Sequence, residues 1–509
     1  MLSRAIHVLT ILTIIAGALA YAPAATAGSA ACDFRTSDNF KKLLQCVTLE
    51  GVREHQAVFQ EIANANGSTR VSGSPGYDQS VEYVADQLTS YGYEVTVQDF
   101  EFQTFVSLEP AILEQVAPLP GGPIENNIMS YSGSGDVTAA VSTPSGDFRG
   151  CTAADFAGFP AGNIALISRG APAGFPVACT FGLKATNAYN AGAAGVVIYN
   201  NIAGPLNGTL GNTFTLDIPV TGITQATGQQ LAATPGLILH LKTSTLRGIA
   251  TTYNVLAESK GGNADNVVMA GAHLDSVNAG PGINDNGSGS AALLEVAKQM
   301  RKVNPRNKVR FAWWGAEESN LVGSTYYVNN LSQAERDKIA LYLNFDMVGS
   351  PNHVFFIYDG DDSDHVGNGA GPGGSAEIEK TFERFFTLKG VPFKGTDFSG
   401  RSDYGPFINI AGIPSGGLFT GAEGIKTAEE AALWGGTAGL AYDPCYHQFC
   451  DTYANNNNYA LDVNSDAIAY AVLQYAMSTA DVNGQRGKGN FSPDPDFLSK
   501  TLHHHEETE

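Results

Sequence analysis

VVMAGAHLDSVNAGPGINDNGSGS, Val267–Ser290, is the stretch whose reading decides the fold. It opens as an apolar run of strand length and delivers His273 and Asp275 at its C-terminal end, where open α/β sheets place ligand-handling groups. A Gly/Pro/Asn loop then carries Asp285. The spacing predicts a break at Gly287 and Gly289 into an amphipathic helix, Ser290–Val303, with Leu293, Leu294, Ala297 and Met300 on its apolar face. An imidazole and two carboxylates thus meet at one strand-loop-helix junction. A His-x-Asp pair alone fits an acidic surface loop as well; the rest of the chain decides between them.

Downstream, strands and helices alternate. Val309–Glu318, Ala340–Met347, Val354–Tyr358 and Ile413–Phe419 are apolar runs of strand length, between helical patterns near Ala291–Val303, Ala376–Thr387 and Ala467–Met477. Upstream, Leu49–Ala65 and Gln79–Tyr91 read as helices and Tyr93–Phe102 as a strand. The expected fold is therefore α/β, a mixed, mainly parallel sheet with helices on both faces. Residues 104–246 are rich in Pro, Gly, Thr and Val and poor in strong helices, so they read as a mostly-β domain inserted in a loop of the first. That divides the peptide chain into a first segment, 31–103, the insert, and a second segment, 247–483.

Residues 1–30 read as a secretory signal: Arg4, the apolar run Ala5–Ala20, and a small-residue cleavage region at Ala25-Thr26-Ala27 or Ser29-Ala30-Ala31. The polar stretch 484–509 is expected to be disordered. Six cysteines form three local couples, Cys32 with Cys46, Cys151 with Cys179 and Cys445 with Cys450, as suits an exported protein. With 50 acidic and 29 basic residues the net charge is -21. Such a surface repels nucleic acid and anionic membrane and favours cations.

The chemistry sits at strand ends. Glu317 and Glu318 follow FAWWGA, Asp346 follows YLNF, and His447 lies in CYHQFC. Each carboxylate follows a run too apolar for the surface, so each falls in a crevice at the sheet's C-terminal edge. His273, Asp285, Glu318, Asp346 and His447 cannot share a buried crevice without cations. Imidazole nitrogen with carboxylate oxygen suits two zinc ions sharing one carboxylate, here Asp285, whereas magnesium or calcium prefers all-oxygen shells. Glu317 then remains to take the proton of the attacking water, and Asp275 to fix the His273 ring.

AGAHLDSV, GINDNGSGSAALLE, WWGAEESNLVGS, YLNFDMVGSP, GRSDYGPF, GGLFTGA and CYHQFCDT together resemble the secreted bacterial leucine aminopeptidases of the aminopeptidase Y family, two-zinc exopeptidases. The likeness spans 253–480 and, more weakly, 47–102. NIALISRG and CTFGLKATNAYNAGAAGVVIYNN resemble the protease-associated domain, which implies a lid, spacer or substrate-presenting module. The resemblance implies His273 and Asp346 on one zinc, Glu318 and His447 on the other, Asp285 between them, and Glu317 as general base. It implies Tyr446 as oxyanion donor, Arg401 against the substrate backbone, and Met347, Gly400 and Phe419 around a pocket for Leu, Met or Phe. A cis peptide at Asp285–Asn286 is also implied. Asp462 and Asp466 coincide with positions that bind calcium in some relatives; Cys46 stands at the N-terminal partner position, and a carboxylate pair near a helix start is the simpler account.

The expected function is a secreted, monomeric zinc aminopeptidase acting on peptides or proteins with a free N-terminus. A carboxypeptidase of the same fold needs several basic groups near the metals, and the motifs offer chiefly Arg401. A cyclase of this fold usually holds one zinc. A non-catalytic binding protein would have lost ligands or base, and all are present.

Overall fold

The computed structural model describes residues 32, 34–175, 178–367 and 369–484. The expected signal and the tail beyond residue 484 lie outside them. One 14-stranded sheet runs through the molecule. Apart from the two-residue pieces Gly122–Pro123 and Asn127–Ile128, its strands are β1 (Glu94–Ala117), β2 (Gly135–Ser142), β3 (Ile164–Ser168), β4 (Gly195–Tyr199), β5 (Val220–Ile223) and β6 (Ile238–Glu258). There follow β7 (Asn263–His273), β8 (Asn307–Trp314), β9 (Ile339–Phe345), β10 (Phe356–Tyr358), β11 (Lys394–Thr396) and β12 (Ser415–Phe419).

The centre is parallel, in the order β12, β9, β7, β8. β6 joins β8 antiparallel, and β10 joins β12 antiparallel with β11 beyond it. Both faces of this centre are covered, which is why Val267–Ala272, Phe311–Trp314 and Ile339–Leu343 read as apolar runs. Val268, Ala270 and Ala272 of β7, Phe311 and Trp313 of β8, and Leu341, Leu343 and Phe345 of β9 enter one core. The alternate residues Met269, Ala312, Trp314 and Tyr342 enter another, closed by Tyr327 and Phe407. The first core is roofed by α1 (Leu49–Ala65), α2 (Pro75–Tyr91), α5 (Gly287–Met300), α6 (Ser375–Lys389) and α7 (Asn458–Met477). The insert supplies α3 (Phe181–Asn190) and α4 (Gln225–Ala232).

Helix α5 departs from its expected form. It begins at Gly287, three residues early, and every residue but Lys298 is buried, so it is the central helix and not an amphipathic one. The glycines allow a close approach where a break was expected: a Cβ at Gly289 would stand 2.2 Å from the Phe345 carbonyl oxygen. Asn286 caps the helix by accepting from Gly289 N at 3.0 Å, and its amide donates to Phe345 O at 2.9 Å, stitching the helix start to the end of β9. Gly289→Ala is therefore expected to cost about 1–3 kcal/mol, read as a lower urea midpoint; an unchanged midpoint would show that the first turn moves freely off β9.

β1 and β6 form one antiparallel ladder from Glu94↔Glu258 to Ala117↔Ile238. The expected joints at 103/104 and 246/247 fall inside it, at Gln103↔Ile249, Thr104↔Gly248 and Val106↔Leu246, with no break in pairing there. Beyond this ladder β2, β3, β4 and β5 run parallel, with β2 antiparallel to β6. Ala185 of α3 packs on one face of these strands and Leu231 of α4 on the other, so the insert is more helical than its turn-rich sequence implied.

The cysteines are bonded as the neighbouring couples Cys32–Cys46, Cys151–Cys179 and Cys445–Cys450. Among the described residues no helix is long and apolar enough to cross a membrane.

Candidate metal centre and active site

The C-terminal ends of β7, β8 and β9 open into one crevice. His273 ends β7, Asp346 follows β9, and Glu317 and Glu318 follow the turn after β8. Asp285 arrives just before α5, and His447 on the Cys445–Cys450 loop. Asp285 lies between the two imidazoles, Oδ1 3.2 Å from His273 Nε2 and Oδ2 3.2 Å from His447 Nε2. Asp346 Oδ1 is 3.3 Å from His273 Nε2, and Glu318 Oε2 is 3.0 Å from His447 Nε2. The five residues expected to ligate are thus together, as two imidazole–carboxylate sets sharing one carboxylate.

Tight turns hold them. Ala316, Met347 and His447 have φ of 51°, 51° and 56°, in the left-handed region that costs a residue with a Cβ about 1–3 kcal/mol. Each lies at or beside an acidic or imidazole group of the crevice, so surrounding packing maintains a bend that the local chain disfavours. The Asp285–Asn286 peptide is cis.

The donor chemistry fits a metal. Glu318 Oε1 and Asp346 Oδ1 are buried with no hydrogen-bond partner, which a native site tolerates only when something else neutralises them. Burial opposes protonation of His273 and His447. It is outweighed by Glu317 and Asp346 around the first and by Glu318 and Asp285 around the second, and both imidazoles are held well above their ordinary range. That is the signature of surplus negative charge, and mixed imidazole and carboxylate donors are those zinc accepts.

Glu317 is placed apart from its neighbour. Its Oε2 lies 3.9 Å from His273 Nε2, on the Asp346 side of the crevice, while Glu318 faces His447. Asp275 meets the His273 ring with two groups, its main-chain oxygen 3.1 Å and its carboxylate 3.5 Å from His273 Nδ1. The Asp275 carboxylate accepts from Glu317 N at 3.1 Å and so ties the β7 turn to the β8 turn.

Met347, Gly400, Phe419, Arg401 and Tyr446 line the cleft of about 310 Å³ that opens from the carboxylates. Arg401 donates to Tyr446 Oη at 3.3 Å and to Glu423 at 2.8 Å, and the Tyr446 ring stacks on His447 at 3.9 Å. Thr209 of the insert also lines this cleft. Asp466 pairs with Lys389 at 2.7 Å, an ion pair between α7 and α6 that accounts for that carboxylate.

Several residues escaped the sequence reading. Ser402 donates to Asp346 Oδ2 at 2.6 Å and is itself held by Asn344 at 2.8 Å. Asp403 is buried with both carboxylate oxygens unpaired, and burial pushes it up to about 7. Both sit in GRSDYGPF beside Gly400 and Arg401. Asp451 accepts from Asn284 N and Asp285 N at 2.8 and 2.9 Å, and its signal was the acid after Cys450.

A parallel sheet whose strand ends gather two imidazole–carboxylate sets around a shared carboxylate defines a metallohydrolase centre. The chain belongs to peptidase family M28, whose model matches residues 254–472, and it carries a PA domain, matched at residues 134–231. It is 48% identical over 458 residues to a protein named aminopeptidase from Pseudomonas aeruginosa (strain UCBPP-PA14), covering 87% of this chain and 84% of that one. It is 44% identical over 412 residues to leucine aminopeptidase 2 of Trichophyton rubrum, covering 80% of each. Among solved structures it resembles the aminopeptidase from Aneurinibacillus sp. strain AM-1, with a TM-score of 0.69, 29% identity, and 89% of this chain and 97% of that chain covered. It also resembles BSAP, a zinc aminopeptidase from Bacillus subtilis, with a TM-score of 0.59, 26% identity, and 84% and 95% covered.

Proposed function

We propose that this chain is a secreted zinc aminopeptidase that holds two zinc ions and removes large apolar residues such as Leu from free peptide N-termini. The carrying observation is Asp285, with one carboxylate oxygen 3.2 Å from each imidazole. His273 and Asp346 would hold one ion, Glu318 and His447 the other, and Asp285 both. Zinc supplies Lewis acidity, lowering the pKa of a water and polarising the scissile carbonyl.

The chain's own groups do the rest. Glu317, with no ligand role in this assignment, takes the proton of the attacking water and passes it to the leaving amine. Tyr446 donates its hydroxyl to the oxyanion of the tetrahedral intermediate, and Arg401, anchored by Glu423, orients that hydroxyl. The surplus of carboxylates attracts the substrate ammonium, which restricts cleavage to the first peptide bond. Met347 and Phe419 offer an apolar wall to the first side chain. The names of the relatives, aminopeptidase and leucine aminopeptidase 2, agree with this reading. Three disulfides agree with export.

The test is a panel of aminoacyl amides and of dipeptides with a free C-terminus, with the N-acetylated form of each and the C-terminally amidated form of the dipeptides, run beside metal analysis. Leucyl amide is expected to be cleaved and N-acetyl-leucyl amide left intact, with zinc the bound metal. Cleavage that tolerates acetylation but requires a free C-terminal carboxylate would replace this function with that of a carboxypeptidase.

A further inference from the structure

We propose that Arg70, which touches none of the residues assigned to the metals, is the positioning residue that holds His273 in register with the shared carboxylate of Asp285. The inference rests on the two-zinc reading above. Arg70 lies in the turn between α1 and α2, more than 200 residues in sequence from the loops it holds. Its side chain is fully buried, yet every acceptor the guanidinium reaches is a main-chain carbonyl. Nη1 donates to Leu274 O, Nε to Pro281 O at 2.9 Å, and Nη2 to Gly282 O at 2.7 Å.

Those three carbonyls belong to the two ends of one loop. Leu274 follows His273, and Gly282 stands three residues before Asp285. One rigid, planar cation thus pins the residue beside the first imidazole to the approach of the shared carboxylate. The main-chain amides of Asn284 and Asp285 are held from the other side by Asp451. Flanking residues extend the brace. Arg70 N donates to Ser276 Oγ at 2.9 Å, Thr69 Oγ1 donates to Val277 O at 2.9 Å, and Ser72 Oγ accepts from Ala316 N at 2.7 Å, beside Glu317.

A buried cation that touches only carbonyls is an expensive way to fill a core, and burial pulls Arg70 down to about 10. What it provides is geometry: a five-donor fork that fits three carbonyls at fixed angles, which the point charge of lysine cannot reproduce. Groups that orient metal ligands typically cost 10–100-fold in metal affinity or activity when removed. The bland alternative is a core cation packed on the Phe59 ring, 5.1 Å away, with no bearing on the site.

The test is Arg70→Lys and Arg70→Gln in the full chain, read by competitive zinc titration, the ligand-field spectrum of the cobalt-substituted protein, kcat and KM on leucyl amide, and thermal unfolding. The expected result is a folded Arg70→Lys protein with roughly 10–100-fold weaker binding of at least one zinc, a changed cobalt spectrum, and a kcat loss at saturating zinc with KM little altered. Folded variants with wild-type zinc titration, cobalt spectrum and kcat, and only a lower Tm, would overturn the proposal. If neither variant folds, Ser72→Ala carries the test, since it removes one brace contact: a fall in kcat with a changed cobalt spectrum supports the brace, and wild-type values overturn it. A wild-type protein that binds fewer than two zinc ions would instead defeat the two-zinc reading itself.

Discussion

Glu317→Gln is expected to keep its full complement of zinc and to hydrolyse leucyl amide about 10²–10⁴ times more slowly, the usual worth of a positioned proton-transfer group. The substitution is isosteric, and the contact from Glu317 N to Asp275 is made by the main chain and survives. What disappears is the carboxylate that lies beside His273 Nε2 and Asp346 without a ligand role in this assignment. Burial pushes the Glu317 carboxyl well above its usual range, with Glu318, Asp346 and Asp403 adding to the shift and His273 opposing it. Zinc in the crevice adds positive charge that opposes this shift, and the carboxyl must be in its basic form to take the proton, so its titration contributes to the acid limb of kcat. In Glu317→Gln that contribution is absent. Steady-state kinetics against pH, with metal analysis of the same samples, decide the matter: wild-type kcat would assign the base elsewhere, and lost zinc would make Glu317 a ligand.

The centre of the fold and its site were legible for one physical reason. A strand stretch covered on both faces is apolar, as Val267–Ala272 of β7, Phe311–Trp314 of β8 and Ile339–Leu343 of β9 are, and the first charged or imidazole residues after such a run fall at the sheet edge. His273, Asp346 and the Glu317–Glu318 pair are those residues. What the sequence does not show has equally physical causes. Apolar spacing reports one buried stripe, and α5 satisfies it on every side because α1, α2 and α7 surround it. The β1–β6 ladder runs through the expected domain joints because pairing is a main-chain property that composition does not mark. Arg70 in STRVSGSPG looks like a solvated turn, and its acceptors are carbonyls of a distant loop, which no side-chain pattern records. Ser402 and Asp403 follow Arg401 in a polar turn, and nothing in that pattern marks which of its side chains the fold buries against Asp346.

Removal of zinc by a chelator is expected to abolish activity, to lower the Tm, and to be reversed by added zinc, because the crevice is costly to fold without cations. Asp285, Glu317, Glu318 and Asp346 meet there, two of their oxygens have no donor, and His273 and His447 are the side chains that pair with them. A ligand present at about 1,000 times its Kd stabilises the folded state by roughly 4 kcal/mol per site, so a chain with two such ions should show a large chelator-dependent shift. Asp285→Ala distinguishes a shared carboxylate from one that serves a single ion. If Asp285 contacts both, its loss weakens both sites together, and the variant should be inactive with a Tm that no longer responds to chelator or zinc. Were it to serve one ion only, the variant would keep one zinc and about half of the chelator response. Thermal unfolding with metal analysis on wild-type and Asp285→Ala protein, each with and without chelator, separates these outcomes. A wild-type Tm that ignores the chelator while zinc is demonstrably removed would mean that protonated carboxylates and charged imidazoles balance the crevice unaided.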